Sequence, residues 1–221
     1  MFEAKSIRTI DYSEGQKPPP VFETQTRQVF WEAFHEWFIY TPFTRNLART
    51  YIPSYQAISE SEHRYPVDIY LDFKSFNVIV HPLAEQLKWI FTAAGGNIVG
   101  KRILDLGCGS NGNTIDSKEF GALFRPWLCR TLLELGAEPI GVDFGDLNGE
   151  KFEAHSRDLS LPESLNFVPD DSVDIIHSRA LHTSPQLSEL RVESGHLMEI
   201  LNPQIMRILK PQGVFLFSKD F

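Results

Sequence analysis

The sequence predicts an α/β fold with a doubly wound, mostly parallel sheet. Two observations predict it. Short apolar runs, typical of buried strands, alternate over residues 81–221 with stretches whose apolar residues recur at helical spacing. Successive parallel strands need crossover connections, and helices supply these while covering both faces of the sheet. In such folds the ligand is expected at the carboxyl ends of the strands.

An aromatic-rich segment precedes this pattern, because 16 of the 27 aromatic side chains lie in the first 80 residues. Beyond the prolines at 18–20, Phe30, Phe34, Trp37 and Phe38 are spaced as on one face of a helix. We expect residues 1–80 to form a helical extension packed onto the core at 81–221. This extension would serve as a lid over the ligand or as an oligomer interface.

The core is predicted to begin with a helix over Pro82–Ala94, because Leu83, Leu87, Ile90 and Phe91 form an apolar stripe that ends at two glycines. Two further helices and five strands follow. The helices are expected near 124–133 and 197–209, and the strands at Arg102–Asp105, Pro139–Asp143, Lys151–His155, Val173–His177 and Val214–Ser218.

Composition narrows the class of protein. The chain is 42% hydrophobic and 23% charged, and it has no apolar run near the roughly 20 residues that span a bilayer, nor a secretory signal. We therefore expect a soluble, cytoplasmic protein. Two cysteines are too few for a disulfide framework or a cysteine zinc site. A net charge of −8 without a basic run argues against nucleic acid and favours a small-molecule partner.

The most informative stretch is a glycine-rich turn after the first core strand, Ile103 to Asn113. Gly107 and Gly109 lack a Cβ, so a ligand could approach the backbone there, although such glycines can also be a steric requirement of the turn alone. Asp105, two residues before Gly107, places a negative charge at the strand end. That charge favours a cationic ligand over a pyrophosphate.

The segment ILDLGCG resembles the glycine-rich motif of the class I, Rossmann-like, S-adenosylmethionine-dependent methyltransferases, D/E-x-G-x-G-x-G. Asn111 stands in place of the third glycine, and Gly112 follows it. The resemblance implies that S-adenosylmethionine is the cofactor. The residues of this motif that it places at the cofactor are Asp105, Gly107, Cys108, Gly109 and Asn111.

Later motifs continue the resemblance in the same order. Asp143 ends the second core strand, where the family acid binds the two ribose hydroxyls, and Phe144 follows it. Asp158 and Leu159 resemble the family residues that contact adenine, although Arg157 could simply pair with Asp158.

Residues 174–179, DIIHSR, are similar to the family's fourth strand, which ends beside the methionine part of the cofactor, and this places Ser178 there. Residues 208–214 resemble the LKPGG turn before the fifth strand.

The chain departs from the family in two respects. Asp105 and Asp143 are 38 positions apart, whereas a compact unit needs about 20. An inserted loop near 113–120 is therefore expected at the ligand edge.

The sequence also stops after the fifth core strand, where the family adds two more strands. The open edge at Val214–Ser218 should be covered by the N-terminal segment or by a second subunit, unless the chain is shortened. Of these, we favour a homodimer.

The resemblance implies a methyltransferase that transfers a methyl group to a small-molecule acceptor. We favour a hydroxyl group of a metabolite as the acceptor. His182 is the first candidate for a general base and His177 the second, because the ordinary pKa of histidine suits proton removal. Each histidine could instead be structural. No metal site is predicted. The alternatives are a catalytically silent cofactor-binding subunit and a nicotinamide-dependent oxidoreductase.

Overall fold

The computed structural model describes residues 8–11, 82–83, 85–110, 125–181 and 194–218. They form a six-stranded sheet in the order β1-β6-β5-β2-β3-β4, and every adjacent pair of strands is parallel. The predicted α/β class and parallel sheet are therefore confirmed.

The predicted core strands and helices are all present, with ends that shift by a few residues. A first helix, α1, occupies residues 82–83 and 85–93. The other elements are β1 (Arg8–Asp11), β2 (Arg102–Leu106), α2 (Trp127–Glu134), β3 (Glu138–Asp143), β4 (Glu153–Ser156), β5 (Val173–Arg179), α3 (Ser194–Ile208) and β6 (Leu209–Ser218).

Both faces of the sheet are buried, as a doubly wound fold requires. On one face Ile103 and Ile175 pack with the apolar stripes of α1 and α2, in which Leu87 and Leu132 are fully buried. On the other face, residues such as Leu104, Ile140 and Ile176 pack against the apolar residues of α3. Successive strand residues alternate between these two cores because side chains alternate across a sheet.

The edge of β6 is covered by a strand from the N-terminal segment. Arg8 to Asp11 pair in parallel with Val214 to Phe217. Of the possibilities considered for this edge, the structure therefore shows the first, pairing with the N-terminal segment. Part of the segment that we expected to be a helical extension is a strand of the main sheet, because the unpaired groups of β6 need a partner.

Asp11 and Pro82, the described residues on either side of 12–81, lie beside the same edge of the sheet. Asp11 lies next to Phe217 near the carboxyl end of β6. On the far side of this segment, the carbonyl oxygen of Pro82 accepts a hydrogen bond of 3.2 Å from Arg179 Nη1, at the carboxyl end of β5. The chain thus leaves and rejoins the described fold at the edge where a ligand is expected.

Most of the predicted turn at 208–214 lies inside β6, where residues 210–213 form a bulge. Leu209 pairs with Val173 and Val214 pairs with Ile175, so four residues of β6 lie opposite Asp174 alone. Lys210 Nζ, from this bulge, donates to Asp174 Oδ2 at 2.8 Å.

Two predictions about the fold lie outside the described residues: the helical stripe Phe30 to Phe38 with its role as a lid or interface, and the inserted loop at 113–120. Within the described part of the chain, no helix combines the length and apolar character needed to cross a bilayer.

Candidate functional site

The glycine-rich turn leaves β2 and is fastened to the neighbouring strand β3. The backbone N–H groups of Gly107 and Cys108 both donate to the carbonyl oxygen of Val142, at 2.8 and 3.1 Å. Gly107 and Gly109 have φ angles of +75° and +87°, a region that favours glycine. The predicted turn therefore forms at the carboxyl edge of the sheet, and its glycines are required by its backbone path.

Asp143, at the end of β3, holds this turn through its carboxylate. Oδ2 accepts from the N–H of Gly109 and Oδ1 from the N–H of Gly145, both at 2.9 Å. Burial raises the pKa of Asp143 and the charge of Asp105 adds to this, whereas hydrogen bonds from the backbone N–H groups of Gly145, Gly109 and Phe144 partly oppose it. Asp143 thus ends β3, as the sequence predicted, and it organises the turn.

The space next to Gly107 is taken up by protein. A Cβ on Gly107 would lie 3.0 Å from Leu181 Cδ1. Leu181 follows Ala180, which has a φ of +53°, unusual for a residue with a side chain, and whose N–H donates to Ser218. Gly107 therefore has the steric role that the sequence left open beside ligand approach: its own backbone conformation and its contact with Leu181 both require glycine.

Asp105 and His177 form a buried pair below the turn. His177 Nδ1 lies 2.7 Å from Asp105 Oδ1, and the two residues are opposite each other on β2 and β5. The other carboxylate oxygen, Oδ2, accepts from the Cys129 thiol of α2 at 3.9 Å. Asp105 thus lies near the end of β2, as predicted. Its side-chain partners come from β5 and α2, which are not part of the glycine-rich motif.

The two cysteines pack together beside this pair. Both are free thiols and both are buried. A Cβ on Gly141 of β3 would come within 2.9 Å of Cys108 Sγ and 3.2 Å of Cys129 Sγ. Burial raises the pKa of each thiol. Cys108 therefore belongs to the glycine turn through its backbone, while its side chain is part of the core.

Among the predicted site residues that the structure describes, Phe144 is the most exposed, at 49%. An aromatic ring on the surface next to the Asp143 carboxylate offers a flat apolar contact to a ligand. Ser178, at the end of β5, is buried opposite Leu106.

Asp158 follows β4 and is partly engaged within its own loop. Its Oδ1 accepts from the N–H and the hydroxyl of Ser160, at 2.9 and 2.6 Å. Leu159 is buried in the core that α3 covers.

The structure brings together Asp105, Gly107, Gly109 and Asp143 at the ends of β2 and β3. His182 and Asn111 lie outside the described residues. Sequence reasoning missed Gly145, whose missing Cβ makes room for the buried Ser110: a Cβ there would lie 2.1 Å from Ser110 Oγ. In the sequence, the sign of this close approach was a glycine two positions after Asp143.

The residues present fit a ligand with adjacent hydroxyl groups. Each oxygen of Asp143 accepts one backbone N–H, and a carboxylate oxygen has capacity for a second donor. The diol of a ribose could supply two such donors. No three metal-ligating side chains cluster among the described residues.

A cavity of about 550 Å³ lies at the opposite edge of the sheet, near the start of β2, β5 and β6. Lys101 and Lys210 both contact Asp174 there. Burial alone would raise the pKa of Asp174, but its donors Lys210, the Arg102 N–H and Lys101 together lower it. This cavity is far from the glycine turn and shares no residue with the candidate site.

Comparison with known proteins gives one relevant likeness. The chain is 30% identical over 135 residues to the fatty-acid O-methyltransferase of Mycolicibacterium smegmatis, and these residues are 58% of this chain. They span 40% of that protein's length. No protein-family model matches the chain.

Proposed function

We propose that this protein is an S-adenosylmethionine-dependent methyltransferase that transfers the methyl group to an oxygen atom of a small-molecule acceptor. The observation that carries the proposal is Asp143, whose carboxylate joins the glycine turn to the end of β3 beside the exposed ring of Phe144. The similarity to the mycobacterial enzyme supports a methyltransferase independently.

Gly107, Gly109, Asp143 and Phe144 would hold the cofactor. Asp143 would accept hydrogen bonds from its ribose, and Phe144 would contact its adenine. S-adenosylmethionine, when bound, supplies an activated methyl group that a nucleophile can take directly. The task of the protein is then to align the acceptor and to exclude water.

The nature of the acceptor decides whether the chain must also remove a proton. A hydroxyl acceptor needs a base, for which His182 is the candidate. A carboxylic acid is already ionised at neutral pH, so no base is required. The name of the mycobacterial relative favours a fatty acid as the second candidate acceptor for this chain.

Calorimetry with S-adenosylmethionine and the full chain tests the cofactor. Asp143→Ala should weaken binding by about 1–3 kcal/mol, because it removes acceptors for the ligand and for the turn. Asp146→Ala is the matched control: this exposed aspartate lies three residues further on and accepts only a local N–H in the same loop. A folded wild-type protein that fails to bind S-adenosylmethionine at millimolar concentration would refute the proposal.

Methyl transfer from radiolabelled cofactor then distinguishes the acceptors. Long-chain fatty acids and hydroxylated aromatic compounds should be offered in parallel, with His182→Ala beside the wild type. Turnover of fatty acids that is unchanged in His182→Ala supports a carboxylate acceptor. Turnover of hydroxyl compounds that is lost in this variant supports a hydroxyl acceptor.

A further inference from the structure

The cavity at the starts of β2, β5 and β6 lies at the edge of the sheet opposite the glycine turn. Its volume of about 550 Å³ falls within the range of small-molecule sites, which is roughly 300–1,000 Å³. The proposed methyl transfer does not use it, because cofactor and acceptor are expected at the carboxyl ends of the strands. The residues that line the cavity therefore indicate a ligand of its own.

Two ammonium groups line this cavity and meet at one carboxylate. Lys101 Nζ lies 3.5 Å from Asp174 Oδ1, and Lys210 Nζ lies 2.8 Å from Asp174 Oδ2. An ammonium group has three donors, and Asp174 accepts from each lysine. The lysine side chains are 41% and 42% exposed, so donors that Asp174 does not use are accessible to a ligand.

The bulge in β6 fixes the position of Lys210. A Cβ on Gly213 would lie 2.6 Å from Leu209 Cγ and 3.0 Å from the carbonyl oxygen of Lys210, so the bulge is closed too tightly for a side chain there. Asp174 is held in turn by the backbone N–H of Arg102, which donates to Oδ2 at 3.0 Å. Three neighbouring strands therefore bring the two ammonium groups together before any ligand binds.

The rest of the lining distinguishes between kinds of anion. Asp171 is a second carboxylate in the cavity wall, so a dianion such as phosphate would be repelled more than a monoanion. Ala93, Ala94 and Pro211 add small apolar groups to the wall. A short aliphatic carboxylate matches both features, because its oxygens can accept from the lysines while its chain lies on the apolar groups.

We propose that this cavity is a second ligand site, which binds a short aliphatic carboxylate through hydrogen bonds from Lys101 and Lys210. Asp174 holds both ammonium groups near each other in the unbound protein. Binding therefore costs less side-chain freedom than it would with two unconstrained lysines. The proposal goes beyond the methyltransferase function and does not depend on it.

A nuclear magnetic resonance titration of the isotope-labelled full chain with butyrate tests the proposal. Butyrate should shift the backbone amide signals of Ala94, Gly213 and Val214 until they reach a plateau. Butyramide, which has the same chain but no charge, should shift them much less. Because cavity and glycine turn lie at opposite edges of the sheet, these signals distinguish the proposed site from the acceptor site.

Lysine variants then test the two donors. Lys101→Met and Lys210→Met should each weaken butyrate binding about 3- to 10-fold, because each removes a charged donor that solvent partly screens. Lys151→Met is the matched control, since this exposed lysine precedes β4 and does not line the cavity. Its affinity for butyrate should equal that of the wild type.

Each contrary outcome overturns a stated part of the proposal. Butyrate shifts confined to the amides of Gly109 and Gly145 would place the carboxylate at the glycine turn instead. Unchanged affinity in folded Lys101→Met and Lys210→Met would show that the lysines do not bind it. Tighter binding of inorganic phosphate than of butyrate would refute a monocarboxylate as the ligand. The titration contains no S-adenosylmethionine, so its result stands whether or not the protein is a methyltransferase.

Discussion

Gly141→Ala is predicted to strain the core beneath the glycine turn. A Cβ at this position would lie 2.6 Å from Phe152 Cε2, 2.9 Å from Cys108 Sγ and 3.2 Å from Cys129 Sγ. All three neighbours are buried, so none can swing out into solvent. The added methyl group must therefore displace packed atoms.

Overpacking of this kind costs about 1–3 kcal/mol. For a chain of this size, such a loss lowers the melting temperature by roughly 2–12 °C. Because Cys108 lies between Gly107 and Gly109, displacement of its side chain should also weaken binding of S-adenosylmethionine. Both effects should occur in the same variant.

The assay is urea unfolding monitored by circular dichroism. The midpoints of variant and wild type are compared after checking that the dependence of the unfolding free energy on urea concentration is the same for both. Gly195→Ala is the matched control, because a Cβ there meets no atom of the described residues within 4 Å and Gly195 lies in α3. This control should gain about 0.5–1 kcal/mol from helix propensity. Gly141→Ala/Phe152→Leu should lose less stability than the two single changes added together.

An unchanged urea midpoint in Gly141→Ala would refute the prediction, because it would show that the atoms around this position rearrange without loss of stability. If the stability losses of Gly141→Ala and Phe152→Leu simply add in the double variant, the contact between the new Cβ and Phe152 is not the origin of the strain.

Three other predictions concern stability and pH. Gln204→Leu should lose about 1–3 kcal/mol in urea unfolding, because the Leu165 N–H, which donates to Gln204 Oε1 at 2.8 Å, would be buried without an acceptor; an unchanged urea midpoint would contradict this. Thr92→Val should raise the free energy of unfolding by about 1 kcal/mol, since the buried Thr92 Oγ1 has no hydrogen-bond partner among the described residues; a fall in the urea midpoint would contradict this. The pKa of Asp143 is raised above the ordinary 3.8, so affinity for S-adenosylmethionine should begin to fall at a higher pH than an ordinary aspartate would give; calorimetry across pH should find the effect absent in Asp143→Asn.

The same shift in Asp143 has a defined sign for stability. A folded pKa above the unfolded value means that the folded state binds the proton more tightly, so Asp143 reduces stability at neutral pH. This penalty disappears as the pH falls through the folded pKa towards 3.8. Asp174 has the opposite sign: its folded pKa is lowered, so it stabilises above 3.8, and that contribution is lost as the pH falls through its folded pKa.

The described core strands were predictable because burial on both faces leaves continuous apolar runs, as at Ile103 and Leu104. The glycine turn was predictable because positive φ angles favour glycine, as at Gly107 and Gly109. The strand at Arg8–Asp11 was not predicted. A four-residue edge strand carries little periodicity, and its partner β6 lies more than 200 positions away.

The sequence alone therefore determined the α/β class, the order of the core elements and the place of Asp105 and Asp143 at strand ends, because these depend on local periodicity and on turn chemistry. Only the tertiary structure decided that β1 covers β6, that Leu181 lies over Gly107 and that His177 pairs with Asp105. Each of these contacts depends on which strands are neighbours and in what register. That register is set by packing among distant residues, which no single segment of sequence contains.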